Sequence, residues 1–434
     1  MTLSDSITFS LDLKASELEF SEEHFISAGY SSCTGVHEAH VYHAHYRPKE
    51  TVCPHCGVIS EERAVHAYNT SDVLLTPTGH RPRVLRLTKP KLICSDCKCL
   101  FTPHPYFVEA GAQIASTVKA SILLDFKVKM AMKDVAKRYF VSPATCWKIV
   151  DQIPLKQRFG SLPEVLLFDE FKATQNVDNG LAFVYSDGLT HDIIDIVESR
   201  KQRDLMAYFA KFPRMIRAQV KTIVMDMNAN YPALLALFPN AKLVIDGFHV
   251  IQQLSRAFNK LRIQEMNRMR YIDNGKIYRK LKKYWRNLLK WNGKVNYQNP
   301  KPFPLFHGQW LSEGAVIDTL LSSSKILQEA YDVYQDCLEA FQNRKPEAFF
   351  NAIKQMPNAL PKAFKKSCRY LLRHQPAISR GILSDFSNGP LEGKNNLSKL
   401  IKRIAFGFGR FDHLRKRILL QQLLSKRNAK SRQL

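Results

Sequence analysis

Cys53-Pro-His-Cys56 and Cys94-Ser-Asp-Cys97 are two CxxC pairs separated by 94 − 56 − 1 = 37 residues. Four thiolates so spaced can close a tetrahedral Zn²⁺ site, each pair sitting at a hairpin turn, with an inserted hairpin filling the long gap. A closed site of this kind is structural and holds a small module together. Cys99 and His55 are alternative ligands, and two chance pairs of buried thiols are the plain alternative. His37, His40, His43 and His45 lie just upstream on what reads as a strand, as surface histidines. Carboxylates form the second constellation. Asp169 closes the apolar run Glu164-Val165-Leu166-Leu167-Phe168, and Asp226 closes Thr222–Met225. Two carboxylates brought together repel, and a hard divalent cation relieves the repulsion, so the pair implies Mg²⁺ or Mn²⁺. Acids after strands are also ordinary loop residues or helix caps, the plain reading for most of the 11 acids between Glu164 and Val250, Asp178, Asp187 and Asp192 among them. Glu170 adjoins Asp169, but strand alternation turns it to the opposite face.

The elements that must position these acids follow from hydrophobic pattern. Strands are expected at 164–168, 181–185, 191–197, 222–225 and 243–245, with helices at 204–212 and 234–238. The order βββαβαβα, with acids at the carboxyl ends of the first and fourth strands, fits a ribonuclease-H-like mixed five-stranded sheet in which those strands are neighbours. A third carboxylate is expected from a helix beside them. Ser387-Asn388-Gly389-Pro390-Leu391-Glu392-Gly393-Lys394-Asn395-Asn396 reads as a turn opening such a helix, with Glu392, Asn396, Lys399 and Arg403 at i, i+4, i+7 and i+11 on one polar face. A plain amphipathic surface helix gives the same spacing. Upstream, residues 115–153 have helical period, and Ser142-Pro143 is an N-cap followed by Pro at N1. Two short helices joined at Phe140-Val141 fit a helix-turn-helix that carries Thr145 and Lys148 toward a major groove. A three-helix packing unit fits equally.

Charge points to the partner. The 434 residues carry 64 Lys+Arg against 39 Asp+Glu, a formal +25, with 45% hydrophobic and 11% aromatic residues. That composition excludes low-complexity disorder and suits several domains and a polyanionic partner. Residues 256–294 hold 13 Lys/Arg and two acids; residues 393–434 hold 12 and one. Tyr284, Trp285, Trp291, Phe406, Phe408 and Phe411 interleave with them, as aromatics that stack on bases do, while a solvated basic face is the alternative. No run of about 18 apolar residues occurs, and the first residues lack the pattern of a signal peptide. The expected place is the cytosol, with no membrane partner.

Together these residues resemble the DDE transposases of bacterial insertion sequences, most closely the ISL-three family, over nearly the whole chain. The likeness rests on Cys53-Pro-His-Cys56-Gly57, Asp169-Glu170, Met225-Asp226-Met227 with Tyr231, Asp246-Gly247-Phe248-His249-Val250, Ser387-Asn388-Gly389 with Glu392-Gly393 and Asn395, and Phe406-Gly407-Phe408. Gly247 stands where Arg is common and Phe406 where Tyr is common. The resemblance implies a catalytic triad of Asp169, Asp226 and Glu392 holding catalytic Mg²⁺ or Mn²⁺, with Asp246 and His249 in support. Asn396 joins them from the helix spacing. It implies a transposase that binds the terminal inverted repeats of its element, cleaves 3′ ends and transfers them into target DNA as a homodimer or larger oligomer. Lys394, Lys399, Lys402, Arg403 and Arg410, with Thr145 and Lys148, are the candidate DNA contacts. Asp226 and Glu392 lie 392 − 226 = 166 residues apart, so a helical insertion is expected between them. The expected segments are 1–110 (zinc ribbon with an N-terminal extension), 111–160 (helix-turn-helix), 161–259 (catalytic core, first part), 260–380 (helical insertion) and 381–434 (catalytic helix and basic tail). A tyrosine or serine recombinase finds no clustered Arg/His/Tyr set to support it. A catalytically silent or domesticated zinc-ribbon regulator is the alternative.

Overall fold

A computed structural model describes the chain except residues 1–6, 8, 9, 12, 14–16, 34, 61–63, 127–129, 156, 228–231, 406, 407 and 431–434. Tyr231, Phe406 and Gly407 therefore lie outside the described residues. Among the described residues no helix is long and apolar enough to cross a membrane. The chain divides into two compact units, residues 1–156 with 397–434, and residues 157–396.

The first unit is built on strands β1 (Leu18–Ser32), β2 (Gly35–Tyr46), β5 (Ala64–Thr78) and β6 (Arg81–Ile93), in the order β1-β2-β6-β5, with β7 (Leu100–Phe101) paired to the end of β6. A separate two-stranded hairpin joins β3 (Thr51–Val52) to β4 (Ile59–Ser60). β5 and β6 are the hairpin expected between the two cysteine pairs, and His37, His40, His43 and His45 lie on β2 as expected. Sheet residues Val41, Val73, Leu75, Val84 and Leu87 share a buried core with helices α1 (Ser116–Asp125), α2 (Met132–Arg138) and α3 (Pro143–Asp151). Val118 and Ile122 of α1, Val135 of α2, and Cys146, Ile149 and Val150 of α3 are the inward residues. Ser142 caps α3 as its sequence requires: its hydroxyl accepts the Thr145 N–H at 3.0 Å. The turn before it places Phe140 at φ 55°, a left-handed position usually given to glycine.

The second unit carries the sheet β10 (Ile193–Val197), β9 (Leu181–Asp187), β8 (Val165–Lys172), β11 (Thr222–Met225) and β12 (Lys242–Ile245), in that spatial order. β8, β9 and β10 pair antiparallel, whereas β11 runs parallel to both β8 and β12. Near-continuous apolar runs such as Val165–Phe168 mark strands covered on both faces. On one face Phe168, Phe183 and Tyr185 pack with Leu205 and Phe209 of α4 (Gln202–Ala210) and with Phe212; a short helix α5 (Arg214–Ala218) follows. Ile245 belongs instead to a large helical core. That core is formed by α6 (Gly247–Arg268), α7 (Lys276–Lys283), α8 (Trp285–Leu288), α9 (Glu313–Leu321), α10 (Lys325–Gln342), α11 (Pro346–Lys354), α12 (Lys362–Arg369) and α13 (Gln375–Leu383). The last helices are α14 (Gly389–Ile404) and α15 (Phe411–Lys430).

Close packing of α13 on β12 depends on Gly381, where a Cβ would lie 2.1 Å from the Ile245 carbonyl oxygen. Gly381→Ala must push the helix off the strand that leads into Asp246, and is expected to destabilise by about 1–3 kcal/mol. A denaturant melt checks this, and an unchanged midpoint would contradict it.

Three expectations need correction. β8 does not end at Asp169 but runs three residues further, because β9 continues to pair with it as far as Lys172↔Leu181 while its pairing with β11 stops at Leu167. The segment expected as a short helix near 234–238 is a 3-10 helix, Pro232–Leu237. The basic runs are also partly structural. Arg262 is buried and donates to the Leu281 carbonyl at 3.1 Å, and Lys290 pairs with buried Glu313 at 2.6 Å. In α15, Arg417 is 6% exposed, stands over the Phe126 ring and donates to the Met130 carbonyl, while Lys416 pairs with Asp151 and Asp412. Burial lowers the Arg417 pKa to about 10. Of the interleaved aromatics, Tyr284 packs on Phe303 and Phe306, and Trp291 packs against the helical core. Phe408 lies edge-on to Trp147. These three rings are half-buried and pack within their own units.

Candidate active site and metal centre

The two cysteine knuckles share one backbone design. After β3, the Cys53 N–H donates to the Val58 carbonyl and the Gly57 N–H to the Cys53 carbonyl; after β6, Cys94 donates to Cys99 and Lys98 to Cys94. Gly57 at φ 75° and Lys98 at φ 56° hold equivalent left-handed positions just past the second cysteine of each pair. The Sγ atoms of Cys53 and Cys97 are 3.6 Å apart, as are those of Cys56 and Cys94, and all four lie within 4.8 Å of one another. A Zn–S length of about 2.3 Å sets a tetrahedral edge of about 3.8 Å, so the four thiols fit Zn²⁺. Cys99 and His55 stand outside this group. Cys99 closes the second knuckle with its backbone carbonyl, which accepts the Cys94 N–H.

Strand register brings the acids of the second unit into a row. Val224 pairs with Leu167, and Met225 with Ile245. Carried forward along parallel strands, the same register sets Asp226 level with Asp169 on one side and with Asp246 on the other. The Asp246 N–H donates to the Met225 carbonyl at 3.1 Å, extending that ladder. His249, in the first turn of α6, stands between two of the three: its Nδ1 is 3.4 Å from Asp226 Oδ2 and its Nε2 is 3.8 Å from Asp246 Oδ2. Burial raises the Asp169 carboxyl above the ordinary aspartate range and Asp226 adds to the rise, against the Glu170 N–H and His249. Burial likewise raises Asp246, opposed by His249 and by the backbone N–H groups of Asn388 and Phe248.

Helix α14 is tied to β8 by two asparagines. Asn388, just before the helix, donates Nδ2 to the Phe168 carbonyl at 2.9 Å, and Asn395 donates Nδ2 to Asp169 Oδ2 at 2.7 Å. Both are buried, at 3% and 4% exposure. Glu392 is exposed on the turn between them, its N–H bonded to the Asn388 carbonyl at 2.8 Å. At i+4 from Asn388 and i−3 from Asn395, it neighbours both on the helix surface. The side-chain oxygens Asp246 Oδ1, Asn388 Oδ1 and Asn395 Oδ1 are buried and find no donor among the described residues. A buried carboxylate oxygen without a donor is the kind of ligand a hard divalent cation takes, and among the described residues only the four cysteines already converge on a common point.

Glu170 pairs with Arg200 at 2.9 Å. Asn396, expected to support the site, is exposed, and its neighbour Asn395 makes the contact with Asp169. The signal lay in the inward face of α14, where Leu391, Asn395, Ser398 and Ile401 are buried at helical spacing: an asparagine on an apolar face needs a partner there. Lys399, Arg403 and Arg410 are exposed, and Lys394 and Lys402 are half-buried. In α3, Lys148 is exposed, whereas Thr145 is half-buried and held by Ser142.

Comparison with known proteins agrees with this geometry. Residues 166–418 match a family model described as transposase, the DDE type of the ISL-three group. The chain belongs to that family. Residues 49–97 match the zinc-finger of the transposases IS204, IS1001, IS1096 and IS1165, a span that includes all four clustered cysteines. A Lactococcus lactis subsp. lactis protein described as an ATP-dependent protease is 33% identical over 111 residues, 26% of this chain and 36% of that one. The chain thus spans about a third of that relative's length, and that description stays with the relative.

Proposed function

We propose that the chain is the transposase of an insertion sequence, which binds the ends of its element and carries out metal-dependent 3′-end cleavage and strand transfer. The observation that carries this reading is the level row of Asp169 and Asp226 on neighbouring parallel strands, with Asn395 of the Glu392 helix bonded to Asp169. The strand order of the second unit supports a ribonuclease-H-like core, for which the expected segments are 161–259 and 381–434 around a helical insertion at 260–380; residues 397–434 group with the first unit, so 381–396 is the part of the last segment that joins this core. Residues 111–160 are read as a helix-turn-helix that presents Lys148, beside a zinc ribbon in residues 1–110. Duplex DNA is the partner, with the protein acting as a homodimer or larger oligomer at the nucleoid.

Asp169, Asp226 and Glu392 would hold Mg²⁺ or Mn²⁺. When bound, such ions activate the attacking oxygen and neutralise charge on the leaving one. The protein's own part is positional. Asn395 donates to one Asp169 oxygen and the Glu170 N–H to the other, which orients the carboxylate, and His249 stands between Asp226 and Asp246. Lys399 and Arg403 extend the Glu392 face toward a phosphate backbone.

The test is Mg²⁺- or Mn²⁺-dependent nicking of a duplex that contains the element end. Within that assay Asn395→Ala is expected to lower the rate and raise the Mg²⁺ concentration for half-maximal rate, each by about 10–100-fold. Loss of rate with an unchanged Mg²⁺ midpoint would leave Asn395 a packing residue only.

A further inference from the structure

From Ala348 to Ser384 the chain has seven Lys/Arg and no Asp or Glu. Four of these cations, Lys362, Lys366, Arg369 and Arg373, recur at i, i+4, i+7 and i+11 along α12 and the 3-10 turn that follows it, and all four are exposed. The opposite stripe, Phe364, Cys368 and Leu371, is buried in the helical core. One side of this element is thus anchored, and the other is a row of positive charge about 16 Å long. None of the four makes an ion pair with a carboxylate among the described residues. They line a groove of about 690 Å³ together with Lys365, Ser367, Tyr370 and, from α6, Gln253. Gln253 lies one turn along α6 from His249, and the same i, i+4, i+7, i+11 stripe continues to Arg256 and Lys260. The groove therefore begins one helical turn from His249, which stands beside Asp226 and Asp246. Like charges held this close without counter-charges raise the folding free energy, which a solvated face does not require.

We propose that this groove binds the sugar-phosphate backbone of duplex DNA adjoining the phosphate presented to Asp169 and Asp226, without regard to sequence. The assignment rests on the phosphodiester reading of the acid site. It adds a binding surface on the helical part of the second unit, distinct from α3, α14 and the basic tail. The four cations answer to successive phosphates, whereas Gln253 reaches the backbone as a neutral donor beside the reacting position.

The experiment uses the full-length chain and a duplex of about 30 base pairs of random sequence, with affinity measured against salt. Replacing Lys362, Lys366, Arg369 and Arg373 together by Gln should make the slope of log K against log[salt] shallower by about 3–4, at about 0.9 for each phosphate that is no longer neutralised. The decrease should be equal for a duplex that carries the element end. The charge-preserving set Lys362→Arg, Lys366→Arg, Arg369→Lys and Arg373→Lys should retain the wild-type slope. In the wild type, DNA should protect Lys362 and Lys366 from acetylation by an amine-reactive reagent, a readout that needs no variant to fold. An unchanged slope in the glutamine variant, or equal acetylation with and without DNA, overturns the groove while leaving Mg²⁺-dependent nicking intact. Protection of these lysines in a protein that never nicks DNA supports the groove and overturns the reading of the acid site on which it was built.

Discussion

Replacing Asp169 or Asp226 by Asn, or Glu392 by Gln, is expected to reduce metal-dependent nicking by roughly 10³-fold or more, and pairs of these changes should be hardly worse than one. The non-additivity follows from the geometry. Asp169 lies on β8 and Asp226 directly follows β11, the strand paired with it, and α14 is bonded to Asp169 through Asn395. If the three acids hold one ion as proposed, each substitution disables the same set, so a second finds little left to remove. Binding to DNA should persist, because no triad residue is a cation or belongs to the zinc module. Glu170→Gln is the control: it gives up a partly exposed pair with Arg200, which costs under about 1 kcal/mol, and should nick at near wild-type rate. Glu392 is the sharpest case, since it is exposed and its replacement should not disturb packing. Near-normal nicking by Glu392→Gln would dismantle the triad and leave a DNA-binding regulator as the better account.

What was legible in the sequence divides along physical lines. β11 and β12 were readable because short apolar runs flanked by polar residues specify buried strands without help from elsewhere, and the Asp226 and Asp246 positions follow from where those runs stop. The cysteine knuckles were readable because metal ligation imposes a spacing. β1 was not, because alternation is not sustained beyond Leu18–Ser21; its place is set by pairing with β2 from Leu18↔Tyr46 to Ser32↔Gly35, with the register shifting between Phe20 and Phe25. Asn395 was named in the family likeness but given no role, for a related reason: the helical wheel orders residues by exposure, and Asn396 shares the polar face of Glu392, while the buried asparagine has its reason in a strand 226 residues away in sequence. Charge density also misled in one place. Arg417 adds to the basic tail when charges are counted, yet its guanidinium lies over Phe126 and bonds to a carbonyl, a tertiary role that no local window reveals.

Zinc removal is expected to have the second large effect. The four thiols converge from two knuckles whose own backbone hydrogen bonds number two each, too few to hold the turns without a metal. Apparent zinc affinities of such sites, about 10–16 kcal/mol, match or exceed the stability of a typical domain at about 5–15 kcal/mol. Cys94 is buried and directly follows β6, the strand that pairs with β2, β5 and β7. Losing its thiolate therefore loosens the knuckle and frays the carboxyl end of the central strand of that sheet. Cys94→Ser, or chelation of the wild type, should abolish stoichiometric zinc in metal analysis and collapse amide protection across Leu92–Phe101, with loss of binding to the element ends. Amides of β8 and β11 should keep their protection, because their partners are in the other sheet. Retained protection at Leu92 and Ile93 in metal-free protein would show that the thiols merely pack, and the ribbon would then owe its fold to the β5–β6 hairpin alone.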